Sequence, residues 1–354
     1  MTESKDILFS EVPGVGGSLG LITLNRPEAL NSLNHEMISA MLTTLARWAV
    51  SSEIKAVVVR AVEGRAFCAG GDIRMVYQAA KAKNPTMTDF FHDEYQLNRV
   101  IHHFPKPYIA LLDGITMGGG VGISIHGSHR VATERFVFAM PETGIGFFPD
   151  VGGSYFLPRL PHRTGYYLGL TGARIKVDDC LTLGLCTHKV IHDDIPNVIE
   201  ALTNTDMGQN AHAVVTTVLN QYSHKPLPTP LHQAEAEVQH CFSGETIEKI
   251  IERLQASDDS LCNDALLALQ KKSPTSLIVT LQALNNGANL TFDDCMQQEF
   301  RLVTRFLLAH DFIEGIRAAI IDKDQAPAWQ PNTLSGVDQA SIEEYFMPLT
   351  KELV

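Results

Sequence analysis

Residues 55–72 read KAVVVRAVEGRAFCAGGD, and this stretch decides the fold class. Val57, Val58 and Val59 run without a polar break, which marks 55–62 as a strand apolar on both faces, as in a parallel sheet. Upstream, residues 19–24 form a second short apolar run that ends in the turn Asn25-Arg26-Pro27. Between the two, Met37, Met41, Leu45 and Trp48 recur at helical spacing behind Asn34, a residue suited to cap a helix. Strand, helix and strand within about 45 residues make a parallel crossover unit. The pattern returns downstream: a helical stretch over 88–103, a buried strand over 107–112, another glycine-rich loop, and an extended segment over 130–140.

The fold class is therefore α/β, with glycine-rich loops at the ends of its strands. Past residue 205 the texture changes. Pro226, Pro228 and Pro230 mark an extended connector, after which apolar residues recur at helical spacing, as in Ile247, Ile250, Ile251 and Leu254. The expected organisation is an α/β core over 1–205 and a mostly helical region over 206–354 packed on that core.

Composition narrows the partners. The 354 residues are 45% hydrophobic and 19% charged, which excludes a disordered chain. Lys and Arg total 28 against 40 Asp and Glu, a formal charge of -12 and a poor match for nucleic acid or an anionic membrane. The imbalance is local: residues 1–205 hold 18 basic and 20 acidic side chains, residues 206–354 hold 10 and 20. Six scattered cysteines without a CxxC pair read as reduced, buried thiols. No run of about 18 apolar residues spans a bilayer, and Glu3 and Asp6 interrupt the start where a secretory signal would be apolar. The expected location is the cytoplasm.

Three segments are candidates for chemistry. The loops Arg65–Asp72 and Gly114–Gly122 each follow a buried strand and precede helical sequence. Glycines let a ligand approach the backbone, and a helix start points N–H groups outward, so the two loops can each offer one donor to a developing oxyanion. Tight turns and close packing would explain the same glycines. The third segment, Met140–Asp150, places Glu142 and Asp150 among Met140, Ile145, Phe147 and Phe148, where an apolar wall raises a carboxyl pKa and poises it for proton transfer. An ordinary loop with two solvated acids is the alternative. Nucleotide fingerprints fail: Leu19 stands where the third glycine of GxGxxG belongs after Gly14 and Gly16. His126 and His129 lack a third metal ligand in sequence.

Together, Ala69–Asp72, Gly118–Gly120 and Pro141-Glu142, preceded by Asn25-Arg26-Pro27 and Ala29-Leu30-Asn31, resemble the enoyl-CoA hydratase/isomerase, or crotonase, superfamily in order and spacing. The resemblance implies a crotonase-like spiral of ββα units that binds an acyl-CoA thioester and holds its carbonyl oxygen between the N–H groups of Gly71 and Gly119. Thr116–Ile123, Phe138–Leu160 and residues 310–329 (HDFIEGIRAAIIDKDQAPAW) extend the likeness over nearly the whole chain. They resemble the branch that hydrolyses 3-hydroxyacyl-CoA thioesters, with 3-hydroxyisobutyryl-CoA of valine degradation as the implied substrate.

The resemblance also implies roles. Glu142 would attack the thioester or activate water, and Asp150 would bind the substrate hydroxyl or position water. Glu94 would lie at the substrate pocket, unless it is a solvated acid on its helix. Gly70 and Asp72 would line the site, and Arg26 would meet the CoA phosphates. No metal or redox cofactor is implied, because a thioester is already activated; a homo-oligomer is a further expectation. Hydratases of this superfamily carry a second glutamate three residues after the oxyanion glycine, where this chain has Gly122. That departure favours hydrolysis over an enoyl-CoA hydratase or isomerase, and the presence of both Glu142 and Asp150 argues against a non-catalytic acyl-CoA-binding protein.

Overall fold

The computed structural model describes residues 5–82 and 87–353. Two compact units are interleaved along the chain: Met1–Gly71, Gln96–Phe138 and Ile175–Pro228 form one, and Asp72–Tyr95, Ala139–Arg174 and Thr229–Val354 form the other.

The first unit is built on two sheets. Strands β1 (Ile7–Gly14) and β2 (Gly17–Leu24) form an antiparallel hairpin, so the glycines tested as a nucleotide loop are a turn, with Gly16 at φ 77°. Helix α1 (His35–Val50) follows, and Asn34 Oδ1 accepts from Met37 N at 2.9 Å, the expected cap. Strand β3 (Ile54–Ala61) returns parallel to β2 and completes the crossover. With β4 (Ala66–Cys68), β5 (Tyr108–Leu112), β6 (Ile115–Met117), β7 (His129–Ala132), β8 (Val137–Ala139), β9 (Ile175–Lys176) and β10 (His188–Lys189), the strand orders are β1-β2-β3-β5-β7-β10 and β4-β6-β8-β9. Consecutive strands thus alternate between the sheets: β3 then β4, β5 then β6, β7 then β8. Each turn of this spiral ends in a loop from the smaller sheet, and that is how both glycine loops are delivered.

Alternate side chains of the larger sheet, including Leu19, Leu21, Ala56, Val58, Ile109 and Leu111, share a core with Val198, Leu202, Val215, Val218 and Leu219. The last five lie on the helices Ile195–Thr203 and Ala211–Asn220. Their apolar faces belong to the sheet, so this unit runs to Pro228 and does not stop at the expected residue 205. At Gly20 a Cβ would stand 2.7 Å from the Trp48 ring, so the indole of α1 rests directly on β2.

The second unit is mostly helical. It takes in α2 (Ile73–Lys81), the start of α3 (Met87–His102), the 3-10 turn Glu142–Ile145, α5 (Gly153–Phe156) and the helices from Pro230 onward, α4 (Gly119–Ile125) having fallen in the first unit. Segment 139–174, expected in the core, clusters with the C-terminal helices because bare backbones meet there. A Cβ on Gly315 would stand 2.3 Å from Ile145, and one on Gly146 2.2 Å from Asp311 O. A Cβ on Gly287 would stand 1.9 Å from Ser154 O. No helix among the described residues is long and apolar enough to cross a membrane.

Candidate active site

In the first unit the two glycine loops lie side by side. Gly70 has φ 118° and Gly118 φ 47°, conformations that favour glycine. A Cβ on Gly70 would stand 3.8 Å from Gly119 N, and one on Gly120 only 2.1 Å from Cys68 O. The start of α4 is therefore seated on the end of β4 with no room for a side chain. Leu33 N donates to Gly70 O at 2.8 Å and fixes the first loop. Among the described residues, neither Gly71 N nor Gly119 N donates to a main-chain carbonyl outside the regular elements. Two neighbouring amides at loop ends are what an oxyanion site requires.

Arg26, expected at the CoA phosphates, holds its own loop: its guanidinium donates to Ser32 O and Oγ at 3.2 and 3.1 Å and lies 3.6 Å from Asp6. Asp72 caps α2, accepting from Met75 N at 3.4 Å. His126 and His129 do not converge. His129 is on β7, 2.9 Å from Thr216 Oγ1, and burial lowers its pKa to about 4; the ring of His126 faces that of His102.

In the second unit, Glu94, Glu142, Asp150 and Glu299 are all buried, at 2%, 6%, 5% and 0% exposure. Four carboxyls removed from water cannot all ionise without large cost, and their pKa values rise together. Burial pushes Glu94 well above the usual carboxylate range, with the charges of Asp150 and Glu142 adding to it. Burial, then the Asp150 charge, does the same to Glu142. Asp150 is pushed up to about 7 by burial, against the hydrogen bond from Tyr95 Oη at 2.9 Å. Glu299 is pushed up to about 8 by burial, against hydrogen bonds from Ser154 and Gly152. Glu142 Oε2 and Glu94 Oε1 are buried with no hydrogen-bond partner among the described residues.

Local sequence explains the placement. Glu142 opens a 3-10 turn behind Pro141, and Gly146 at φ 68° ends it. The chain then runs through Phe147 and Phe148 to Asp150. The Phe147 ring stacks on Phe312 at 4.7 Å and meets Phe91 at 5.9 Å, while Phe148 stacks on Phe306 at 5.4 Å. This is the expected apolar wall, extended by rings from α3 and from the C-terminal helices. Lys272 is the cation that bears on Glu142, lowering its pKa. The Lys272 ammonium lies 3.2 Å from where a Cβ on Gly144 would be.

Both solvated-acid readings are thereby set aside: Glu94, Glu142 and Asp150 are buried together in one unit. Sequence reasoning missed Tyr95, Lys272 and Glu299. Only Glu299 left a readable signal, the one charge on the buried face of Phe292–Phe306. Among the described residues, one further group has metal-ligand chemistry. Glu237, Cys241 and Cys262 bring their ligand atoms within 4.8 Å of one another, but Ser257 Oγ already donates to Glu237 Oε1 at 2.6 Å. None of the six cysteines forms a disulfide, and all are buried, as expected.

The family model described as enoyl-CoA hydratase/isomerase matches residues 19–346 of the chain. The protein named 3-hydroxyisobutyryl-CoA hydrolase, mitochondrial, from Danio rerio is 42% identical over 350 residues, 98% of this chain and 90% of the relative. Its Homo sapiens namesake is 42% identical over 337 residues, 94% of this chain and 87% of the relative. Among solved structures, a carnitinyl-CoA dehydratase from Mycobacterium thermoresistibile is similar with a TM-score of 0.92 at 39% identity, covering 99% of each chain.

Proposed function

Because this chain belongs to the enoyl-CoA hydratase/isomerase family, we propose that it hydrolyses 3-hydroxyacyl-CoA thioesters, 3-hydroxyisobutyryl-CoA foremost, to the 3-hydroxy acid and CoA. The observation that carries this reading is the buried pair Glu142 and Asp150 in an apolar wall, in a chain whose position 122 is glycine. Adding water across a double bond needs a second proton-transfer group. Thioester hydrolysis needs one activating carboxylate, two oxyanion donors and an acceptor for the substrate hydroxyl. The names of the relatives from Danio rerio and Homo sapiens support the same substrate.

In this mechanism the N–H groups of Gly71 and Gly119 stabilise the thioester oxygen as the carbonyl carbon becomes tetrahedral. Glu142 acts by one of two routes. Its carboxylate attacks that carbon and expels CoA thiolate, leaving an anhydride that water then opens. Otherwise it takes a proton from water, which attacks directly. Asp150, oriented by Tyr95, accepts a hydrogen bond from the substrate hydroxyl, and Glu94 lines the same acyl pocket. Gly70 and Asp72 shape the first loop, and Arg26 contributes through the loop it holds. The reaction calls for no metal or redox cofactor, since the thioester is already activated.

A reducing compartment suits six buried cysteines outside any disulfide. The cytoplasm remains the proposed location, although these relatives are named mitochondrial. A homo-oligomer is likewise proposed, from the resemblance alone.

Thiol release measured across a panel of acyl-CoA esters tests the reading. CoA release should be fastest from 3-hydroxyisobutyryl-CoA, and Glu142→Ala should lower kcat by roughly 100- to 10,000-fold. Faster hydration of crotonyl-CoA than CoA release would point to the hydratase reading. Binding without turnover would leave a non-catalytic acyl-CoA carrier.

A further inference from the structure

Beside Asp150 the backbone is strained. Val151 has φ 50° and Gly152 φ 87°. A β-branched residue in the left-handed region is an outlier that persists only where its surroundings hold it. Gly153 N donates to Asp150 O at 2.8 Å and closes this turn on itself. That bond alone does not explain why the turn keeps an unfavourable valine.

A further restraint comes from 147 residues away. Gly152 N donates to Glu299 Oε2 at 2.7 Å. Ser154 N and Ser154 Oγ donate to Glu299 Oε1 at 2.9 and 2.6 Å. Both carboxylate oxygens are thus engaged by one three-residue segment, and the side chain has no exposed surface. Three short hydrogen bonds to one side chain hold firmly where burial keeps water from competing for them.

We propose that Glu299 is a positioning residue for thioester hydrolysis: it staples the strained turn after Asp150 and so fixes the direction of the Asp150 carboxylate. The inference rests on the hydrolase reading above. It gives the C-terminal helices a part in the chemistry, because the staple is anchored in Phe292–Phe306. The ionisable groups that bear on Glu299 are Asp150 on the loop it holds, Glu142 on the 3-10 turn, Tyr95 on α3 and Cys295 on its own helix.

Glu299→Gln tests the staple at nearly constant shape. Glutamine keeps one acceptor oxygen and turns an NH2 toward a donor, so one prong is lost. Amide hydrogen exchange at Gly152 and Ser154 should quicken, and kcat should fall roughly 10- to 100-fold with KM little changed. The loss should largely vanish when the same change is made in Asp150→Asn, because both then act through one group. Ser154→Ala keeps both amide donors and should cost much less than Glu299→Gln. Unchanged exchange and unchanged kcat would overturn the staple. A kcat loss that multiplies in full with Asp150→Asn would also overturn it, by showing that Glu299 acts elsewhere. Melting curves separate both outcomes from unfolding. If the native protein hydrolyses no 3-hydroxyacyl-CoA, the hydrolase reading falls by itself, and exchange at Gly152 and Ser154 still decides the staple.

Discussion

Tyr95 Oη donates to Asp150 Oδ2 at 2.9 Å, from a phenol with no exposed surface. The bond favours the ionised carboxylate and offsets part of the burial that pushes Asp150 up to about 7. Tyr95 itself is held protonated by burial and by the Asp150 charge, so it stays a donor across the working pH range.

Tyr95→Phe removes that donor and leaves the ring. The Asp150 pKa then rises further, and the acid limb of kcat/KM moves to higher pH. A hydrogen bond to a charged group contributes about 1.5–3 kcal/mol, and 1.4 kcal/mol corresponds to one pKa unit, so the shift is about 1–2 units. Hydrolysis at neutral pH should drop while activity at high pH approaches that of the native protein. A pH–rate profile superimposable on the native one would refute the role.

Asp150→Asn should stabilise the fold as it removes activity. A carboxyl whose pKa is raised on folding contributes stability below its unfolded pKa and loses it as pH rises through the folded value. For Asp150 that window runs from its ordinary value of 3.8 to about 7. Asparagine keeps an oxygen for Tyr95 and carries no charge to desolvate. Thermal melts should show the variant more stable than native above neutral pH, by at most about 4 kcal/mol. The advantage should shrink toward pH 4. A variant less stable at every pH would mean that the carboxylate is better satisfied than its burial implies.

The sequence made the spiral legible because its core strands are short apolar runs, β3 with three consecutive valines. Val57 to Val59 can only be a strand buried on both faces, and the glycines after β4 and β6 mark where backbones approach. Glu142 and Asp150 were legible from their apolar neighbours, a local property. Tyr95 and Lys272 were not, because a tyrosine or lysine on a helix has the same local pattern whether it meets a carboxylate or solvent. Where the first unit ends was hard to read for a related reason: periodicity shows that Val215, Val218 and Leu219 share a helix face, but not which surface that face covers.

Gly120→Ala is a sharp test of the paired loops. Its Cβ would lie 2.1 Å from Cys68 O and 2.8 Å from Cys68 Cβ, so α4 and β4 must separate. Forcing atoms into a packed site costs about 1–3 kcal/mol. The melting temperature should fall by several degrees, and hydrolysis by more than the folded fraction accounts for, because Gly119 carries an oxyanion donor in the proposed mechanism. Gly64→Ala is the control, with no atom nearer than 3.8 Å to the added Cβ. If both alanines behave alike, the loops are not packed as described.

Lys272 supplies the last lever on Glu142. Burial lowers the Lys272 pKa, and the Glu142 charge raises it. In return the ammonium lowers the Glu142 pKa, against burial and the charges of Asp150 and Glu299. Lys272→Met keeps the stem and removes the cation. Glu142 then holds its proton to higher pH, so hydrolysis at neutral pH should fall and recover as pH rises. Lys272→Arg keeps a positive charge and should leave the acid limb closer to the native position. The comparison is a pH–rate profile for each variant, taken with saturating 3-hydroxyisobutyryl-CoA so that binding does not limit the rate. Were the methionine variant to lose activity equally at every pH, Lys272 would act through packing or substrate contact and not through the charge on Glu142.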